Sequence, residues 1–598
     1  FITVIFAQYY QIYGKNIVQY DDFEWYYVQS NHFDIYFNDS TGYHSEFLIE
    51  QSELAYDKIS TLMNWDLQER VPIIVYKSHN NFQQTNVIGV YMPEGVGGVT
   101  ELLKNRVVIP FDGSIDELRH VLFHELVHAF INDCVYGGSL KQMMKNSIKT
   151  RIPLWMNEGL AEYVAEKWSA NSDMWIRDLV LSGNLPDINN LNGYWAYRGG
   201  QSTWNFITQK WGEESIAEII YQTKKNADVS KGISEALSTD LNVLQDMWHK
   251  YLKTEYWSDI NNMDEIPDIA RRLTNHTTLN NTYNVAPALS PNGDRVALFS
   301  NKDGPMGLYL ISAIDGKFEE HVVKGERSSE FEELHILKPG IAWSPDGKKI
   351  VFAAKSGKSD ALFIINLDDW TKRRIRFDIE GIFRPSWSPN GNYITFVGNN
   401  GRASDIYLYD LFSDSLQNIT SDWFTDDQPT WSNNSREIYF ISNRNDILEV
   451  ENQKNYNPQY YTEKKSDLGQ MDIYRINIST KNISRITNTD SNESYPCIAN
   501  NDSTLAYISD KNGINNIYLE SLSINSFTQN KSTPKPITNV LTGITQLSWT
   551  KSSNQLIFTG FHNGGYDTYM LSNPLELLKK QIYPINASWK NSDDKPNY

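Results

Sequence analysis

The sequence predicts two domains of different class, an α+β domain over residues 30–262 and an all-β domain over 263–580. Three observations carry that division. A chain of 598 residues exceeds what one hydrophobic core organises. The first 260 residues show a few strand-like runs and then long helical periodicity. Beyond them, short apolar runs alternate with Asn, Asp, Ser and Gly turns, and a repeat emerges.

In the first domain, HFDIYFND (32–39) alternates like a strand, and VPIIVY (71–76) and NRVVIPF (105–111) supply two more. Between the first two, Phe47, Leu48, Leu54, Ile59 and Leu62 recur at helical spacing. From 114 to 257 the pattern is helical, broken near 137, 183, 193 and 199. A small sheet followed by helices is the expected layout.

In the second domain the clear copies of the repeat are LSPNGDRVALFS (289–300), WSPDGKKIVFAA (343–354) and WSPNGNYITFVG (387–398). Degraded copies are WSNNSREIYFIS (431–442), IANNDSTLAYIS (498–509) and WTKSSNQLIFTG (549–560). Pro or its counterpart falls at 291, 345, 389, 433, 500 and 551, and a period of roughly 50 residues suits four strands per unit. Six units of this kind predict a six-bladed β-propeller. Pro with Asn/Asp-Gly makes the tight turn between strands. DIYLYD (405–410), DIYRIN (472–477) and NIYLES (516–521) mark a further strand, and QNIT, SRIT and KPIT the outermost one. RRLT (271–274) precedes the first unit, so the N-terminal strand is expected to complete the last blade and remove an open edge. The long interval before the fifth copy is assigned to a polar surface insertion at 445–469.

Composition narrows the function. A net charge of −19 repels a phosphate backbone, which argues against a nucleic-acid partner. Two cysteines, Cys134 and Cys497, lie in different domains; they exclude a disulfide framework and a cysteine-based metal site, and read as buried thiols. No apolar run is long enough for a transmembrane helix. Residues 1–29 form an N-terminal segment whose opening run, with Ala7 as its small residue, reads as a signal-peptide remnant over 1–7. Residues 581–598 read as a C-terminal tail.

The chemistry is carried by ELRHVLFHELVHAFIND (117–133). Ser114 and Glu117 form a capping box, so a helix starts near 115 and sets His124 and His128 one turn apart on one face. Two imidazoles so spaced can share one metal, with Glu125 beside them to hold a water. A chance His-Glu-x-x-His is expected in about one such chain in a hundred. A metzincin would need Gly at 131 and His at 134, but the chain has Ile131 and Cys134. Thermolysin-like zincins take a glutamate from a second helix, and PLWMNEGLAEYVAEKW (153–168) reads as that helix. Glu158 is the expected third ligand, giving two His and one Glu with water in the fourth position. Glu162, one turn on, would orient a ligand histidine. His120, one turn before His124, reads as a packing or hydrogen-bonding residue.

The pair ELRHVLFHELVHAF and WMNEGLAEY resembles the gluzincin-type family known as peptidase MA-like, over residues 30–260. The repeats resemble the propeller of TolB and its relatives, over residues 265–580. The first resemblance implies a zincin-like metallopeptidase domain holding Zn2+ through His124, His128 and Glu158, with Glu125 as general base. The implied reaction needs an oxyanion donor, for which Tyr197 and Arg198 are the candidates. GGVTELLKNRVVIPF (97–111) would supply an edge strand for an extended peptide. The combination implies an exported bacterial endopeptidase, periplasmic, outer-membrane-associated or on the cell surface. Its propeller would dock a protein substrate or an envelope partner. The competing reading is a non-enzymatic envelope scaffold that keeps the zincin fold; an intact Glu125 favours the enzyme.

Overall fold

The computed structural model describes residues 17–89, 91–137, 140–147, 149–166, 168–326, 328–448, 468–500, 502–522, 533–549 and 554–590. The expected signal remnant, most of the insertion and residues 591–598 lie outside these. The described residues divide into two compact units, one within 17–112 and 116–258, the other within 113–115 and 259–590.

The first unit begins with a five-stranded sheet: β1 (Tyr26–Gln29), β2 (Phe33–Phe37), β3 (Val71–Tyr76), β4 (Val99–Glu101) and β5 (Arg106–Pro110), in the order β1-β2-β3-β5-β4. β2, β3 and β5 run parallel in the middle, and β1 and β4 pair antiparallel at the two edges. Parallel neighbours need a crossover, and the helix Ser45–Met63 provides it between β2 and β3. Its predicted apolar stripe is the buried one, with Phe47, Leu48, Ala55 and Ile59 at or near zero exposure, although Leu54 faces solvent. The sheet starts at Tyr26, a few residues before the expected boundary, because β1 finds a hydrogen-bonding partner in β2.

The helix Ile115–Ile131 follows β5 directly and buries Leu118, Leu122, Leu126, Val127 and Phe130. It continues as one π-helical turn, Asn132–Tyr136, in which Cys134 is buried. The second motif helix spans Leu154–Ala165, and the helix Tyr194–Trp211 crosses it at close range. The crossing is fixed by two glycines. A Cβ on Gly159 would lie 2.3 Å from the Gly200 carbonyl carbon, and one on Gly200 would lie 2.2 Å from Trp155 O. The two backbones touch there, which sets Tyr197 and Arg198 against the second motif helix.

The second unit is a propeller of six four-stranded antiparallel sheets. The last blade consists of Gly543–Trp549, Gln555–His562, Gly565–Ser572 and the N-terminal strand Arg271–Arg272, which pairs with Met570 and Tyr569. Ring closure by the displaced strand is as the sequence predicts.

The repeat has a physical basis at two points. In the turn, the Ser344 hydroxyl donates to Asp346 at 2.6 Å and accepts from the Lys349 N–H at 2.9 Å, while Gly347 takes a φ of 72°. Gly293 and Gly391 repeat that left-handed backbone, and the degraded copies keep it without glycine, at Ser435 and Asp502. Beside the outer strand, the Thr of the I-T or L-T pair bonds a polar residue at or near the start of the neighbouring strand. Thr274 donates to Asp567 at 2.8 Å, Thr487 to Asp472 at 3.0 Å and Thr538 to Asn516 at 2.8 Å. Residues 581–590, expected as tail, stay with this unit, since Ala587 N–H donates to Asn512 O at 2.7 Å and Asn512 Nδ2 to Ile585 O at 2.8 Å.

Candidate metal centre

The two motif helices bring three donor atoms to one point. His124 Nε2 and His128 Nε2 are 3.1 Å apart, and each lies 3.2 Å from Glu158 Oε2. Four-coordinate zinc, with donors at about 2.0–2.1 Å, spaces neighbouring donors by about 3.3 Å. The triangle therefore fits such an ion with little rearrangement. All three side chains are buried. The i, i+4 spacing of the histidines and the packing of the second helix suffice to build it.

Behind the triangle stands Glu162. Its Oε1 lies 3.1 Å from His124 Nδ1 and 3.5 Å from His120 Nε2, and its Oε2 accepts from Arg198 Nη1 at 2.9 Å. Accepting the Nδ1 proton fixes the His124 tautomer that leaves Nε2 free for a metal. Burial opposes charge on Glu162, but Arg198 and the two histidines hold its carboxyl well below the usual range. Burial likewise opposes a proton on His124, yet Glu158 and Glu162 outweigh it and lift that imidazole to about 10. Glu158 is held low by the same histidines against its own burial. Without a metal, the retained proton is therefore on His124, between two ionised carboxylates.

Glu125 is buried beside the ligands. Thr100 Oγ1, on the edge strand β4, lies 2.7 Å from Glu125 Oε2 and 2.9 Å from Glu125 O. A Cβ on Gly98 would come within 2.9 Å of Glu125 Cγ and Oε1. The strand that the sequence offers for a peptide thus runs against the predicted general base. Tyr197 stacks its ring on His124 at 5.9 Å, and burial with the carboxylates Glu158, Glu125 and Glu162 pushes its hydroxyl well above the usual tyrosine range. It stays protonated and able to donate.

Arg198, expected as an alternative oxyanion donor, is engaged elsewhere. Its Nη1 serves Glu162, Glu166 at 3.1 Å and Ser172 Oγ at 3.1 Å, and its Nε donates to Tyr194 OH at 2.9 Å. Sequence reasoning missed Thr100 and the Gly159–Gly200 crossing. The doublets Gly97-Gly98 and Gly199-Gly200 were the available signals, since both mark close backbone approach. A second convergence of carboxylates, Asp405, Asp422 and Asp426, lies in the propeller. Arg444 pairs with two of the three, Asp422 at 2.9 Å and both oxygens of Asp426 at 2.5 and 2.6 Å.

No curated protein matches the chain. Among solved structures, TolB from Acinetobacter baumannii is similar at 15% identity over 56% of this chain and 71% of that one, with a TM-score of 0.34. Oligogalacturonate lyase from Vibrio parahaemolyticus is similar at 10% identity over 50% of this chain and 92% of that one, with a TM-score of 0.33. Likenesses at these scores say nothing about activity here. Family models are more direct. Residues 53–254 match the Peptidase MA superfamily and residues 336–451 the TolB beta propeller domain. The chain therefore joins a region that matches the Peptidase MA superfamily to a six-bladed propeller, part of which matches the TolB propeller model.

Proposed function

We propose that this protein is an exported zinc endopeptidase that hydrolyses peptide bonds, with the propeller docking or gating a protein substrate. The observation that supports this most is the triangle of His124 Nε2, His128 Nε2 and Glu158 Oε2 with Glu125 buried beside it. Two nitrogens and one carboxylate oxygen at this spacing suit Zn2+ and leave a fourth position open. When bound, the ion lowers the pKa of water toward neutrality and polarises a carbonyl.

The chain's own residues divide the rest of the work. Glu125 takes the proton of the attacking water and delivers it to the leaving nitrogen. Glu162 holds His124 in its metal-binding tautomer, and Arg198 with His120 holds Glu162. Tyr197, kept protonated, donates to the carbonyl oxygen as negative charge builds there. An extended peptide pairs with the outer edge of β4 and is thereby laid past Glu125. No helix among the described residues is long and apolar enough to cross a membrane. An envelope location, and a partner seated on the propeller, rest on the match to the TolB propeller model.

Elemental analysis and casein cleavage test the proposal together. One zinc per chain, weakened by Glu158→Ala, with cleavage abolished by Glu125→Gln, is the expected result. Stoichiometric zinc with no cleavage of any unstructured substrate would favour a scaffold, and no zinc would sink the centre.

A further inference from the structure

Thr100 is placed where a catalytic carboxylate would need a second anchor. Glutamate has three rotatable side-chain bonds, and a base at the end of them acts efficiently only when its orientation is held. Two residues close together in the chain hold Glu125 from one side. Gly98 offers no side chain, so the Glu125 stem fits against its backbone, where a Cβ would lie 2.9 Å from both Cγ and Oε1. Thr100 places its hydroxyl 2.7 Å from Oε2.

The hydroxyl has one proton and two acceptors in reach, Glu125 Oε2 at 2.7 Å and the Glu125 carbonyl at 2.9 Å. That carbonyl lies inside the helix Ile115–Ile131, where the backbone ladder already supplies it with an N–H. The carboxylate is the stronger acceptor, and a hydrogen bond to it is the shorter one here. Oε2 is thereby committed, and Oε1 is the oxygen left to address a water.

We propose that Thr100 is a positioning residue for Glu125: its hydroxyl fixes the rotation of the carboxylate so that Oε1 is the oxygen that exchanges the proton. The proposal rests on the endopeptidase reading above. It makes the edge strand more than a rail for the peptide, because the strand also aims the base.

The experiment compares wild type, Thr100→Val and Thr100→Ser, each loaded with one zinc and matched for thermal unfolding. Thr100→Val keeps the shape and removes the donor, and it is expected to lower kcat about 10-fold or more with KM and zinc stoichiometry unchanged. Thr100→Ser restores the hydroxyl and is expected within about 3-fold of wild type. A crystal structure of zinc-loaded Thr100→Val is expected to show the Glu125 carboxylate turned from its wild-type position. Unchanged kcat in Thr100→Val, or an equal loss in Thr100→Ser, would overturn the proposal. If wild type with bound zinc cleaves nothing, the endopeptidase reading fails by itself. The two crystal structures then still decide the positioning role, and an unmoved carboxylate ends it.

Discussion

His124 presents its Nδ1 to Glu162 Oε1 at 3.1 Å, so the proton that the neutral ring would keep beside a metal sits on the side away from His128 and Glu158. In the proposed centre, that makes Glu162 the residue that readies His124 Nε2 for a metal. It also couples the ligand set to Arg198, which holds the other oxygen of the same carboxylate at 2.9 Å.

Removing that carboxylate has a measurable cost. Glu162→Gln is expected to weaken zinc binding about 10–100-fold, as titration against a competing chelator would read. Affinity equal to wild type would take Glu162 out of the centre. Arg198→Ala is expected to act in the same direction and by less, since His120 still reaches Glu162.

Metal binding should also release a proton. His124 is lifted to about 10 in the metal-free centre, so at any lower pH an incoming ion displaces that proton. The sign follows directly: affinity rises with pH, by about 10-fold per unit, until the imidazole is neutral without help. Calorimetry in two buffers of different ionisation enthalpy would count the proton. A metal affinity flat from pH 6 to 9 would contradict the assignment.

The Gly159–Gly200 contact predicts a stability effect with a functional echo. Alanine at either position pushes a carbon into a backbone it would approach at 2.2–2.3 Å. Overpacking of this kind typically costs about 1–3 kcal/mol. Thermal unfolding should show it for Gly200→Ala, and zinc affinity should drop as well, because Glu158 precedes Gly159 on the displaced helix. An unshifted melting temperature would mean that the helices separate freely.

The propeller carries a pH dependence of its own. Burial, then the neighbouring Asp426, pushes Asp405 up to about 7, and burial pushes Asp422 up as well. An aspartate whose folded-state pKa is raised takes up a proton on folding. Its destabilising contribution is absent below about pH 4, grows from there, and is complete above about 7. Melting temperatures at pH 5 and pH 8 should therefore differ less for Asp405→Asn than for wild type. An identical pH dependence in the two proteins would refute the burial argument.

Much of this molecule was legible in its residues because two periodicities were intact. Helical spacing places His124 and His128 on one face, and the Glu158–Glu162 pair one turn apart on the next motif helix, so the side chains that converge in the structure could be picked out from sequence. The propeller was readable because its turns need a left-handed residue, which glycine advertises at 293, 347 and 391. Where Ser435 and Asp502 adopt the same backbone, the signal fades although the turn persists. The contacts of Thr100 and Arg198 were not legible for one reason. Their partners, Glu125 and Glu162, lie 25 and 36 residues away in sequence, and only packing reveals that the side chains meet. The outer limits of both domains shifted for a similar reason, since β1 and residues 581–590 acquire their place through pairing rather than through pattern.

Closure of the last blade by Arg271–Arg272 has a bearing on how the chain comes to be built. That short strand is synthesised before any of the six blades, yet its partner, Gly565–Ser572, comes only after the other five. The ring must wait, with an unpaired edge, until the last blade has been made. Every strand and helix that brings His124, Glu125, His128 and Glu158 together, by contrast, has been synthesised before the first full blade begins at Asn284. A ribosome that stalls in the last blade would therefore have made every residue of the candidate centre while the propeller is still open.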